Sequence, residues 1–382
     1  MRALAAALLV VLAGLAPAAA AELPHATQEL LGRAKLDAGI LAGLEAELAM
    51  PKEWLEGAKG EPDLKILASW DPKQFRALSA PFRERYPFVK LTYMRGTLID
   101  RGVKALEAFK TGRYFAAIIA SPGNYWLDYR DIGAFADLRV LPNFAKLGPE
   151  ERDPNGLWMG QKIAYRCMAY NTERVPKSEL PARWDDLLTN PFWRGGKLGI
   201  PNRPNLWLSQ LWHAQGPEWT TDFIRKLFGT VKPQLRQEGS SAAVGLTVAG
   251  EVPAMVAAAE YRVKEYKTKG APVNLHCPEP VPTAVSPMVL WKGTPAKYSA
   301  YLFLDWFLSK EGQLAQYVAD LSTPVHAGMK DDPRFLPFPE EIIGKKQALR
   351  DEAALESEYP EMMKVYQPLW EASGGSAIKT DE

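Results

Sequence analysis

Cysteine is nearly missing from this chain of 382 residues: Cys167 and Cys277 are the only two. Histidine is scarce as well, with His25, His213, His276 and His326 alone. No Cys or His cluster has the spacing of metal ligands, so no metal or other cofactor is expected. No Gly-x-Ser-x-Gly elbow occurs, so nucleophilic catalysis lacks its usual sequence signal. A Ser-His-Asp triad needs no neighbours in sequence, and an exported α/β hydrolase stays open as an alternative. Net charge is also missing, since 46 Lys and Arg balance 45 Asp and Glu. That balance argues for neither nucleic acid nor an anionic membrane as partner. After residue 21 no apolar run is long enough to span a bilayer.

The first residues set the expected compartment. Met1-Arg2 is a short basic start, residues 3–15 are apolar, and Pro17 ends the run before the small residues 18–21. This pattern is a cleavable signal peptide over residues 1–21, and it implies export. No Cys follows it to carry a lipid anchor. The remaining chain is too long for one ordinary core, which suggests two lobes. The 31 Pro argue for many turns and against a helical bundle. Most of the 12 Trp lie in apolar patterns and are expected in the core.

Residues 22–61 read as a helical extension. Residues 64–70, 88–93 and 116–120 read as strands, separated by helices at 72 onward and 98–109. That alternation predicts an α/β fold with a parallel sheet and right-handed crossovers. Ligands bind such sheets beyond the C-terminal strand ends, which selects Trp70 and Asp71, Arg95, and Ser121 with Asn124 and Tyr125. Further strands are expected at 163–170, 197–201, 273–277 and 288–291, with helices at 206–214, 219–228, 242–249 and 296–309. The tail, 339–370, reads as helix, with disorder expected beyond Gly374.

Several landmarks fall in a characteristic order. They are Tyr170-Asn171-Thr172, Pro181 to Leu188 with Trp184 and Asp186, Ala249-Gly250-Glu251-Val252, Lys269-Gly270-Ala271-Pro272-Val273, Pro278-Glu279, and Phe303-Leu304-Asp305-Trp306-Phe307-Leu308-Ser309-Lys310-Glu311-Gly312-Gln313. Their series, over roughly residues 62 to 326, resembles the extracellular solute-binding proteins of ABC importers, in the branch with ferric-iron, polyamine and sulfate binders. The resemblance implies two Rossmann-like lobes of the type II periplasmic kind, joined by two crossing segments. Lobe 1 would comprise 62–166 and 277–382, and lobe 2 would comprise 167–276. It implies a periplasmic monomer, not an enzyme, that passes a small-molecule solute to permease subunits in the inner membrane. A sensory or chaperone role for the same fold is a further alternative.

Ferric-binding relatives use an adjacent Tyr pair after the Gly-Glu segment. Here Tyr261 is followed by Arg262, and Tyr266 lies five residues on, about 140° around a helix. This departure counts against iron, which remains an alternative of the same fold. Arg262 and Arg203 instead favour an anionic or carboxylate-bearing solute. Ser240 and Ser241 open a helix and serve as cap, anion site or both. Asp71, followed by Pro72 and Gln74, reads first as a cap. Arg203 either pairs at the surface or faces the cleft together with Asn205, and Tyr261 enters the ligand set through the resemblance. The resemblance also makes the strands of Cys167 and Cys277 crossing segments side by side. A disulfide between them is expected in an oxidising compartment, with two buried thiols as the alternative.

Overall fold

Leu64–Ala68 (β1) is buried along almost its whole length, as befits an apolar run inside a sheet covered on both faces. The computed structural model describes residues 23–351 and 354–379, so the expected signal peptide lies outside the described residues. After β1, Gln74 accepts the Asp71 backbone N–H at 2.8 Å, which opens the Pro72–Arg85 helix. Leu91–Arg95 (β2) and Ile118–Ala120 (β3) flank β1, both parallel to it.

Met159–Tyr165 (β4) is the last strand before the chain crosses over. Met168–Asn171 (β5), Leu198–Pro201 (β6), Gln234–Arg236 (β7), Ala254–Met255 (β8) and Val273–His276 (β9) form a second sheet, in the order β7-β6-β8-β5-β9. Val281–Leu290 (β10) and Gln347–Leu349 (β11) return to the first sheet, whose order is β11-β10-β3-β1-β2, with β4 also on β10. The fold is thus α/β with two sheets, as expected.

One continuous strand over 163–170 does not form. The run breaks at Arg166 and Cys167, which lie between strands belonging to different sheets. The strand anticipated at 288–291 is the end of ten-residue β10, which passes Pro282 and Pro287. Its register with β4 shifts between Ser286 and Pro287, where proline has no N–H to give the ladder. The tail differs more. Residues 347–349 are strand, and Leu355–Ala372 is a long helix whose Met362, Tyr366 and Trp370 are fully buried in the second sheet's core. The tail therefore meets both sheets, its strand on β10 and its helix in the second core. Residues 375–379 are also held in place: Trp370 Nε1 donates to Ser376 O at 2.6 Å, and Lys379 N–H donates to Asn202 O at 2.8 Å. Such satisfied backbone overrides the usual fraying of a polar terminus.

Cys167 and Cys277 are disulfide-bonded, with Cα atoms 4.7 Å apart. The antiparallel pair Met168↔His276 ends the β5–β9 ladder, and one step further brings the two cysteines face to face. All Trp except Trp219 are buried. Trp184, Trp193 and Trp207 fill the second core, and Trp54, Trp70 and Trp306 fill the first.

Candidate functional site

The strand ends of the first sheet and the turn after β6 enclose a small cavity of about 50 Å³. Leu98, Arg101, Ser121 and Gly123 line it from the first sheet's loops. Ala164 and Arg166 contribute from β4 and the crossing, Ala284 to Pro287 from β10, and Asn205, Leu206 and Gln210 from the second sheet's side. Arg350, just after β11, completes the wall. Among the described residues Arg101, Arg166 and Arg350 line this space and no Asp or Glu does, a wall whose electrostatics favour an anion.

Each cationic residue is positioned by main chain. Arg101 Nε donates to Ser121 O at 2.9 Å, and its Nη1 donates to Gly96 O at 2.7 Å, which ties the loops after β2 and β3 together. Ser121 holds φ at 52°, a left-handed conformation that costs a non-glycine residue about 1–3 kcal/mol. Its N–H donates to Pro287 O at 2.7 Å and its Oγ to Gln161 Oε1 at 3.0 Å. Arg166 N–H donates to Pro282 O at 2.8 Å, and Arg350 N–H to Thr283 O at 2.9 Å. β10 therefore anchors loops from three parts of the chain around the cavity.

Behind Arg166 lies Glu260, wholly buried at the start of the Glu260–Thr268 helix. Burial pushes its carboxyl above the usual range, while the charges of Arg166 and Lys162 pull the other way. Lys162 also reaches Asp320 at 3.1 Å and lies 5.8 Å from the centroid of the Tyr261 ring. Tyr261 Oη is 2.9 Å from Ser241 Oγ. Ser241, Tyr261 and Lys162 thus form a second polar cluster joining elements of the two sheets.

The residues expected at the site divide into those that line the cavity and those that do not. Ser121 and Asn205 line it, and both are drawn together there. Trp70 does not wall the cleft. It is packed in the first core against Phe75, Tyr93 and Phe307, because a large apolar ring at a strand end is best satisfied by burial. Asp71 and Arg95 pair with each other at 3.1 Å in the open. The Tyr125 ring lies against Gly102, where a Cβ would come within 2.1 Å of it. Asn124 and Ser240 belong to the Gly123–Tyr125 turn and the Ser240–Ala249 helix by their backbones.

Arg203 is buried 3 % exposed, neither at the surface nor on the cavity wall. Its Nη1 donates to Asn202 Oδ1 and to the carbonyls of Gln237 and Glu238, an anchoring role that fits a buried guanidinium. Arg262 forms an ion pair with Glu265 one turn along its own helix. Tyr261 and Tyr266 do not splay to opposite sides. Both meet the Ser240–Ala249 helix a turn apart, with Tyr266 Oη 3.7 Å from where a Cβ on Gly245 would stand.

Sequence reading missed Arg101, Arg166, Gln210, Ser286 and Arg350. Arg166 carried a usable signal, a cation inside an otherwise apolar strand run. Arg350 carried none, because it lies in a tail that reads as charged helix.

A family model described as bacterial extracellular solute-binding protein matches residues 130–339. Solved structures with the same fold include iron-bound HitA from Pseudomonas aeruginosa, 22% identical, covering 81% of this chain and 99% of that chain with a TM-score of 0.64. Apo FutA2 from Synechocystis PCC6803 is 19% identical over 81% and 99%, with a TM-score of 0.63. AfuA from Actinobacillus pleuropneumoniae, with exogenous fructose-6-phosphate bound, is 20% identical over 82% and 99%, with a TM-score of 0.61. No curated protein matches the chain. The structural neighbours are type II periplasmic binding proteins of two lobes.

Proposed function

The chain belongs to the bacterial extracellular solute-binding proteins, and we propose that it captures a small anionic solute in its cavity between the sheets and delivers it to an ABC permease. The observation that carries this reading is the cavity wall, where Arg101, Arg166 and Arg350 stand and, among the described residues, no acidic side chain does. In this reading the lobes are residues 62–166 with 277–351, and residues 167–276 with the C-terminal helix. The ligand bridges them and shifts an open–closed equilibrium by its higher affinity for the closed form. No bond is made or broken. In this reading the protein acts in the periplasm as a monomer, and its family, the bacterial extracellular solute-binding proteins, supports that compartment.

Thermal-shift screening against a library of anions, sugars, cations and ferric citrate tests the reading. A solute at 100 times its Kd adds about 2.7 kcal/mol of stability, and the hits are expected among anions. Stabilisation by cations alone would sink it. So would a tyrosinate colour with ferric citrate that is lost in Tyr261→Phe, the result expected of an iron carrier such as its structural neighbour, iron-bound HitA.

A further inference from the structure

We propose that the solute is a small 2-hydroxycarboxylate, bound by the backbone N–H and C=O of Val285 where the first sheet misses a rung. The inference rests on the anionic-solute reading and narrows it. It calls on no arginine side chain, since Arg101, Arg166 and Arg350 are already engaged within the protein.

The first sheet has a gap along one edge of β10. β3 pairs with that edge over 288–290, and β11 pairs with it over 281–283. Between them lies the cavity, lined by Ala284, Val285, Ser286 and Pro287. Ser121 closes one end of the gap, with its N–H on Pro287 O at 2.7 Å. Arg350 closes the other, with its N–H on Thr283 O at 2.9 Å. Arg350 follows β11 in the C-terminal strap, the segment that runs on through the Leu355–Ala372 helix to residue 379. The strap therefore sets one end of the cavity.

Alternation fixes which backbone groups face the gap. Successive residues of a strand send their N–H and C=O to opposite edges. Arg166 N–H donates to Pro282 O, so the even-numbered residues of β10 face β4. Val281 N–H donates to Lys346 O and Trp291 N–H to Ala117 O, so the odd-numbered ones face β11 and β3. The register slip passes over Gln161, which puts the extra residue on β4 and leaves the period of β10 intact. Val285 therefore turns both its N–H and its C=O into the gap. Ile163, opposite it on β4, gives its own N–H to Thr323 O at 2.9 Å. Among the described residues nothing bonds the Val285 N–H or C=O, although Val285 is only 8% exposed. Buried backbone groups are nearly always paired, so this pair marks a place for a bond from outside the fold.

In a close strand pair the partner answers with the N–H and C=O of one residue, the two ends of an N–Cα–C unit. A 2-hydroxycarboxylate repeats that unit. Its carboxylate accepts from Val285 N–H, and its hydroxyl donates to Val285 O. An ammonium in place of the hydroxyl would cancel the charge. Sulfate offers acceptors only and would leave the carbonyl unpaired. The cavity of about 50 Å³ limits the molecule to a few heavy atoms. Leu98, Ala164 and Leu206 on its wall suit a short carbon chain.

Titration calorimetry at neutral pH with glycolate, acetate, methoxyacetate, glycine and sulfate tests this. Acetate lacks the donor, and methoxyacetate has it capped. The full chain is expected to bind glycolate about tenfold or more tighter than each other probe. Val285→Pro removes an N–H that the sheet does not use, in a strand that already holds Pro282 and Pro287. Glycolate should lose about tenfold in this variant. Amide hydrogen exchange of the parent, read by NMR, reports the same bond without a substitution. Glycolate should slow exchange at Val285 about tenfold or more, and this measurement decides should Val285→Pro fail to fold. Equal binding of any other probe, parent-like glycolate binding by Val285→Pro, or Val285 exchange indifferent to glycolate overturns the inference while leaving an anion binder. No binding of any anion, with a neutral or cationic solute found instead, overturns the reading beneath it as well.

Discussion

The chain crosses between its two sheets in two different ways. The first is a pair of adjacent segments, at Arg166–Cys167 and at 277–280. It is buried, bonded through sulfur, and braced by Glu341, which accepts the Cys277 N–H at 3.0 Å and meets Lys345 at 2.9 Å. Trp184 Nε1 adds a bond to Pro280 O at 2.9 Å. The second is the single C-terminal strap, strand on one side and helix on the other, joined across the surface by Arg130–Glu356 at 3.2 Å and His213–Glu358 at 3.1 Å. A buried, covalently closed pair has little room to lengthen and suits an axis of rotation. A single strap whose outer ties are exposed ion pairs, each worth about 0–1 kcal/mol, suits a clasp that yields and re-forms. The contrast shows that distance from the axis and strength of attachment vary separately in one molecule.

Breaking the axis should have the largest effect. Joint replacement Cys167→Ala and Cys277→Ala opens a loop that spans 110 positions in sequence, and in the chain-entropy model costs about 4–5 kcal/mol. Urea unfolding measures it, and thiol titration of the unfolded, unreduced parent should find no free thiol. The clasp comes next. Trp370→Ala removes a fully buried ring that stands 5.7 Å from Tyr366 and 6.5 Å from Phe228, for a loss of about 3–5 kcal/mol. Solute affinity should fall in this variant even well below its melting temperature, whereas a merely local defect would leave affinity intact.

Glu341 sharpens the comparison through pH. Burial works to raise its pKa, but hydrogen bonds from His276, the Cys277 N–H and Lys345 outweigh it and hold the carboxyl at about 2. A carboxyl lowered on folding stabilises fully above its ordinary value near 4.5, and that contribution is lost as pH falls toward 2. Glu341→Gln should cost about 1.5–3 kcal/mol at pH 7 and almost nothing at pH 2, by urea midpoints at each pH. The smallest effect expected is from Asn202→Ala, about 1 kcal/mol, because Arg203, which loses Asn202 Oδ1, keeps the Gln237 and Glu238 carbonyls, and the Asn202 carbonyl still accepts from Lys379 when the side-chain bond to Ala377 is gone.

Much of the architecture was legible because it rests on local rules. The capping pattern at Asp71 and Gln74 and the apolar run at 64–68 declare themselves within a few residues. The resemblance supplied what those rules cannot, the crossing at Cys167 and Cys277. The binding wall was less legible. Ser121 and Asn205 follow strands, and the rule that ligands sit beyond strand ends finds them. Arg203 and Arg262 were chosen for their charge, yet charge alone does not say whether a guanidinium meets a carbonyl, a neighbouring Glu265 or a ligand. Arg101 and Arg350 reach the cavity through contacts far apart in sequence, to Ser121 and to Thr283. No window of a few residues contains that information. The tail was misread for the same reason: its apolar residues fit a helix, but their burial depends on Phe228, well over a hundred residues earlier.

The distribution of strands also bears on the order in which the molecule can be finished. Every strand of the second sheet lies between residues 168 and 276, whereas the first sheet waits for β10 and β11. A chain emerging N-terminus first therefore holds all five strands of the second sheet before the first one can close. The early sheet still lacks Met362, Tyr366 and Trp370, so its core stays open to water until the last helix arrives. Both halves reach completion only when the end of the chain is released, and a prematurely ended product leaves apolar surface uncovered for proteases to find.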